Sequence, residues 1–148
     1  MKQALFLYNP QSGKGKIEKD SQAIGEMFRQ AGYSIVDGPI DFSRNPFNGH
    51  ETVDLVVVAG GDGTVNEVAN GIAGFPNAAM TCIPIGTGND FLKNFGKDAE
   101  PLFLDAENLW NGDVTPLDLI DCNGKYCLTI ACTGIDARIA ESVHEFGA

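Results

Sequence analysis

A chain of 148 residues with 43% apolar and 20% charged side chains has the composition of one globular domain. At this length folding hides roughly two thirds of the unfolded surface, so a core forms without disulfides or a structural metal, and collagen, coiled-coil and mini-protein scaffolds are excluded. With 20 acidic against 10 basic residues the formal charge is -10, the wrong sign for condensing on nucleic-acid phosphates or on anionic lipid at large. No apolar run approaches the roughly 20 residues that span a bilayer, so the chain reads as cytoplasmic, with any membrane contact peripheral and local.

The pattern predicts a buried strand over residues 3–8, stopped by Asn9 and Pro10. Ile17, Ile24, Met27, Phe28 and Ala31 then recur at helical spacing up to Gly32. A second strand is expected over 33–36, followed by a loop over 37–51 rich in Gly, Pro, Asn and Asp. Residues 53–59 (VDLVVVA) read as a central parallel strand covered on both faces. It breaks at Gly60, Gly61, Asp62, Gly63 and Thr64, and a helix is expected from Thr64 to Ile72.

Another buried strand is predicted over 80–85, a short helix over 90–95 and a helix over 101–110. This alternation specifies an α/β, Rossmann-like, three-layer parallel-sheet domain over residues 1–112. After Gly112 the chemistry becomes antiparallel, with strands expected over 114–121 and 126–133 around the turn pair Asn123-Gly124. Residues 113–148 therefore read as the truncated start of a β-rich second domain whose unpaired edges invite self-association into a homo-oligomer. The segment from His144 to Ala148 still reads as helical, as expected of a fragment. The cysteines Cys82, Cys122, Cys127 and Cys132 lie in strand-like segments and are expected to be buried thiols, without zinc. His50 and His144 are expected to be structural or surface residues.

Three polar, glycine-rich loops follow predicted strands, and the carboxyl ends of parallel strands share one rim of the sheet. In the loop Gly60 to Thr64 the glycines leave room for an anion, and the helix behind offers unpaired N–H groups and its positive end. Asp62 opposes a phosphate unless a divalent cation such as Mg²⁺ stands between them. The competing reading is a tight turn with Thr64 capping the helix. The loop with Ser12, Gly13, Lys14, Gly15 and Lys16 offers a hydroxyl, N–H groups and two ammonium charges, or is a solvated helix start. The third, with Thr87, Asn89 and Asp90, is a further contact surface or a capped turn. Glu67 is a capping partner or a support for a metal.

The motifs Asn9-Pro10-x-Ser12-Gly13, Gly60 through Val68 (GGDGTVNEV) and Pro84 through Phe91 (PIGTGNDF) resemble, in order, those of the diacylglycerol kinase catalytic-domain family, which includes bacterial lipid kinases and sphingosine kinases. The resemblance extends over about residues 3–140 through Leu117-Asp118-Leu119 and Thr133-Gly134-Ile135-Asp136-Ala137. It implies an ATP-dependent kinase that transfers a γ-phosphoryl group to a lipid hydroxyl, with most of the lipid pocket and the general base in a second domain that this chain largely lacks. Carried over by position, Asn9, Ser12, Gly13 and Lys14 line the ATP site. Gly60, Gly61, Asp62, Gly63 and Thr64 hold the phosphates, and Thr87 and Asn89 complete the pocket. Asp62 acts catalytically through Mg²⁺, with Glu67 supporting it. Family members carry a helix and a threonine contact where this chain has residues 37–51, and no counterpart is assigned. The alternatives are a kinase of NAD or another soluble hydroxyl compound, since NAD kinases share the GGDGT loop, and a nucleotide-binding module without turnover.

Overall fold

A run such as LVVVAG is stable only when covered on both sides, and every residue of β3 (Leu55–Gly60) is buried. The computed structural model describes residues 1–146, apart from the side chains of Lys14, Lys16 and most of residues 140–146; the expected helical end at Gly147 and Ala148 lies outside the described residues. β3 sits inside a parallel sheet with β1 (Lys2–Tyr8), β2 (Tyr33–Pro39) and β4 (Ala79–Pro84), in the order β2-β1-β3-β4. α1 (Lys16–Gln30) crosses from β1 to β2, and α2 (Asp62–Ile72) from β3 to β4.

Successive side chains of a strand point to opposite faces, and this divides the core into two layers. Leu5, Leu7, Val56, Val58 and Cys82 pack with Val65 and Val68 of α2 and with Phe47 and Phe91. Ala4, Phe6, Tyr8, Val57 and Ala59 pack with Ile17 and Phe28 of α1 and with Leu109. The α/β class with a parallel sheet between helical layers is thus the fold the chain adopts. Its consequence for function is positional, because α1 and α2 both begin beyond the carboxyl ends of neighbouring strands.

Several elements differ from expectation. α2 starts at Asp62 with Gly61 as its N-cap residue, so Thr64 lies inside the first turn and caps nothing. The expected helix over 101–110 is two short ones, α3 (Glu100–Leu104) and α4 (Asn108–Asn111). Between them Asp105 turns extended and accepts the Glu107 N–H at 3.0 Å, which ends the first.

Residues 40–54 carry no helix. The fully buried Phe47 takes up that space, its ring so close to Gly71 of α2 that a methyl there would lie 2.6 Å away. The one threonine of this segment, Thr52, donates to Gln3 Oε1 at 2.9 Å, at the opposite end of the sheet from the glycine loops.

The strands expected over 114–121 and 126–133 shrink to β5 (Ile120–Cys122) and β6 (Lys125–Cys127), paired antiparallel. Asn123 (φ 55°) and Gly124 (φ 81°) make the tight turn that their identities predict. Beyond three residues neither strand pairs with another strand among the described residues, and a two-stranded ribbon by itself is marginal. α5 (Ile135–Phe146) follows.

Candidate functional site

The loops after β1, β3 and β4 meet at one rim of the sheet, held by side chains far apart in sequence. Asn9 Nδ2 donates to Thr64 Oγ1 at 3.2 Å, joining the first loop to the second. Its Oδ1 accepts the Gln11 N–H at 3.0 Å and closes its own turn. Asp62 Oδ1 accepts the Phe91 N–H at 2.9 Å, joining the second loop to the third. Asn89, left-handed at φ 51°, uses its amide in both directions on Gly86, each bond 3.1 Å long.

Glycine is required where these backbones touch. A methyl on Gly86 would lie 2.4 Å from the Gly61 Cα, and one on Gly60 would lie 2.5 Å from Cβ of the buried Thr64. Gly13, at φ +60°, stands over Ile85, whose Cβ a methyl would approach to 3.5 Å. Gly63 is different, for it is exposed, has an ordinary φ and faces nothing within 4 Å.

The residues singled out from the sequence therefore divide by task. Asn9, Thr64 and Asn89 spend their polar atoms on the clasp, as does one oxygen of Asp62. Ser12 is half-buried, and Gly13, Gly63 and Thr87 are exposed. Glu67 is exposed and is the sixth residue of α2, beyond reach of the helix start, so it does not act as a capping partner. Asp90 is taken by Lys93, and that contact raises the lysine pKa.

Gly61, the N-cap residue, offers no side chain to the first N–H groups of α2, which begins where the loops meet. Asp62 Oδ2 stays free of the Phe91 bond and lies towards Gly88. Among the described residues no group of three or more His, Cys, Asp or Glu side chains could hold a metal. One carboxylate oxygen beside helix N–H groups fits a Mg²⁺ ion that takes its remaining ligands from phosphate and water, the usual habit of that ion. Asn66 and Asn70 act as tethers that no sequence pattern announced. Asn66 Oδ1 accepts the Leu128 N–H at 3.0 Å, and Asn70 bonds the Tyr126 N–H at 2.8 Å and the Tyr126 carbonyl at 2.7 Å.

The thiols correct an expectation, because Cys82 is buried whereas Cys122 and Cys132 are exposed and Cys127 is half-buried. The last three belong to a segment whose strands are too short to cover them. Burial, and secondarily the negative charge of Asp62, push the Cys82 thiol up to about 12. At pH 8 its thiolate fraction is then on the order of 1 in 10,000. Iodoacetamide at that pH is expected to alkylate Cys132 and leave Cys82 intact until denaturant is added, as peptide mass spectrometry would record. Labelling of Cys82 in the folded chain would contradict its placement.

A profile for the diacylglycerol kinase catalytic domain matches residues 3–122. The diacylglycerol kinase of Bacillus subtilis (strain 168) is 35% identical over 151 aligned positions, covering 98% of this chain and 49% of that protein. The diacylglycerol kinase of Staphylococcus aureus (strain Newman) is 34% identical, covering 90% of this chain and 44% of its own length. A crystal structure of a diacylglycerol kinase from Bacillus anthracis str. Sterne superposes with a TM-score of 0.63 at 28% identity, over 84% of this chain and 45% of that one. The chain spans about half the length of the curated relatives it matches.

Proposed function

The chain belongs to the diacylglycerol kinase catalytic domain family, and from that membership we propose that it supplies the nucleotide side of an ATP-dependent kinase with a lipid hydroxyl as acceptor. The observation that carries this reading is the clasp: three loops pinned to one another by Asn9–Thr64, Asp62–Phe91 and Gly61–Gly86, with uncapped helix N–H groups and a side-chain-free Gly63 on the open side. Phosphoryl transfer asks for placement and charge neutralisation rather than covalent help. A rigid cradle of N–H groups meets the first demand. Ser12 and Lys14 from the first loop and Thr87 from the third border the same opening by sequence position.

In this reading Gly60, Gly61, Gly63 and Thr64 shape the phosphate seat, and Asp62 keeps Oδ2 for Mg²⁺, which when bound neutralises the phosphate charge. Glu67, one and a half turns into α2, supports from the exposed side. Residues 1–112 form the nucleotide domain and 113–148 begin a β-rich domain, the rest of which would hold the lipid and the general base. The chain alone then binds nucleotide without turnover. Among the described residues no helix is long and apolar enough to cross a membrane.

Titration calorimetry with ATP, with and without Mg²⁺, tests this directly. Saturable, Mg²⁺-dependent binding with no phosphate release is expected, and heat-silent titration at millimolar ATP would remove the kinase reading. In a longer chain, transfer to dispersed diacylglycerol but not to NAD is expected; the reverse preference would assign a soluble acceptor.

A further inference from the structure

β6 is an edge strand, and the N–H and carbonyl groups on its free side would ordinarily invite another chain. Here they are answered by a helix. Asn70 pairs with both the N–H and the carbonyl of Tyr126, as a neighbouring strand would, and Asn66 accepts the N–H of Leu128. The match is geometric. Side chains four apart on a helix lie about 6 Å apart along its axis, and alternate residues of a strand lie about 6.6 Å apart. One pair of asparagines therefore reads two successive outward groups of the strand, running antiparallel to it.

The same helix opens with Asp62, Gly63 and Thr64, and Leu128 packs against the core layer that contains Val65 and Val68. The geometry points to Asn66 and Asn70 as positioning residues that fix the register of residues 126–128 on the helix presenting the phosphate seat, and couple the two. This inference rests on the nucleotide reading above. An alanine at either position would keep the helix and its loop while letting the hairpin slide. Neither asparagine takes part in the hydrogen bonds that pin the three loops.

Amide hydrogen exchange followed by NMR on the 148-residue chain provides the test. Without nucleotide, Asn70→Ala is expected to speed exchange at Tyr126 about 10-fold, the worth of a pair of neutral hydrogen bonds. Asn66→Leu should do the same at Leu128, and Asn66→Asp, which keeps the acceptor oxygen, should restore protection there. Mg-ATP at about 100 times its Kd suppresses any opening that includes the helix start by up to about 100-fold. Tyr126 and Leu128 should show that slowing in the wild-type chain and lose it in Asn70→Ala, while ATP affinity changes less than about 3-fold. Unaltered Tyr126 exchange in Asn70→Ala would overturn the docking. Nucleotide-insensitive exchange in a wild-type chain that binds ATP would overturn the coupling. Failure of the wild-type chain to bind ATP would refute the kinase reading and the coupling with it, and the nucleotide-free comparison would still decide the docking.

Discussion

Gly86→Ala is expected to destabilise the fold by about 2 to 4 kcal/mol, although it adds a single methyl to a half-buried loop. The added carbon would stand 2.4 Å from the Gly61 Cα and 2.9 Å from Asn89 Oδ1. The first neighbour is backbone and cannot step aside by changing rotamer, so the third loop must lift away from the second. Overpacking of this kind costs about 1 to 3 kcal/mol. Lifting also strains the Asn89 Oδ1 bond to the Gly86 N–H, worth about 1 kcal/mol. Urea unfolding measures the sum. Gly74→Ala is the control, since a methyl there meets nothing within 4 Å, and it should be neutral or slightly stabilising. A Gly86→Ala midpoint equal to wild type would mean that the loops are not clasped.

The parts of this arrangement that were legible in the sequence are those governed by local rules. Residues 53–59 announce a doubly covered strand because β-branched residues fill consecutive positions, and Asn123-Gly124 announces a tight turn because both residues tolerate positive φ. The ordering strand, glycine loop, helix then brings the three loops to one rim by topology alone. What was not legible depends on partners distant in sequence. Asn9 reads as a contact for ligand, yet its amide serves Thr64, 55 residues away. Asp62 reads as a free carboxylate, yet one oxygen holds the Phe91 N–H, 29 residues away.

Asn66 stands in the GGDGTVNEV motif and Asn70 just beyond it, yet neither signals a tether, because an asparagine inside an amphipathic helix has the same spacing whether it faces water or a strand edge. The helix start at Asp62 rather than Thr64 escaped for a related reason. Glycine at the N-cap has no side chain to mark it, and a threonine two residues inside looks like a better cap. The cysteines failed through their strands: a thiol is buried only as far as its strand is paired, and β5 and β6 are three residues each.

Gly63→Ala should separate the fold from the site. Position 63 lies within α2, is exposed and has open space around it, so alanine is expected to stabilise the helix by about 0.5 to 1 kcal/mol. The same methyl would occupy the side of the N–H groups from which a phosphate must approach. ATP affinity should therefore fall 10-fold or more, a loss of about 1.4 kcal/mol or greater, in a protein that melts higher than wild type. Calorimetric titration and thermal unfolding of the one variant read the two effects with opposite signs. Asp62→Asn extends the separation to the metal. An amide oxygen can still accept the Phe91 N–H, so the clasp should persist, while the loss of charge should abolish the Mg²⁺ dependence of binding. Asp62→Ala instead leaves an N–H on the buried Phe91 without a partner and should cost about 1 to 3 kcal/mol of stability. Unchanged ATP affinity in Gly63→Ala, together with unchanged Mg²⁺ dependence in Asp62→Asn, would reduce the glycine loop to a turn and confine Asp62 to its bond with Phe91.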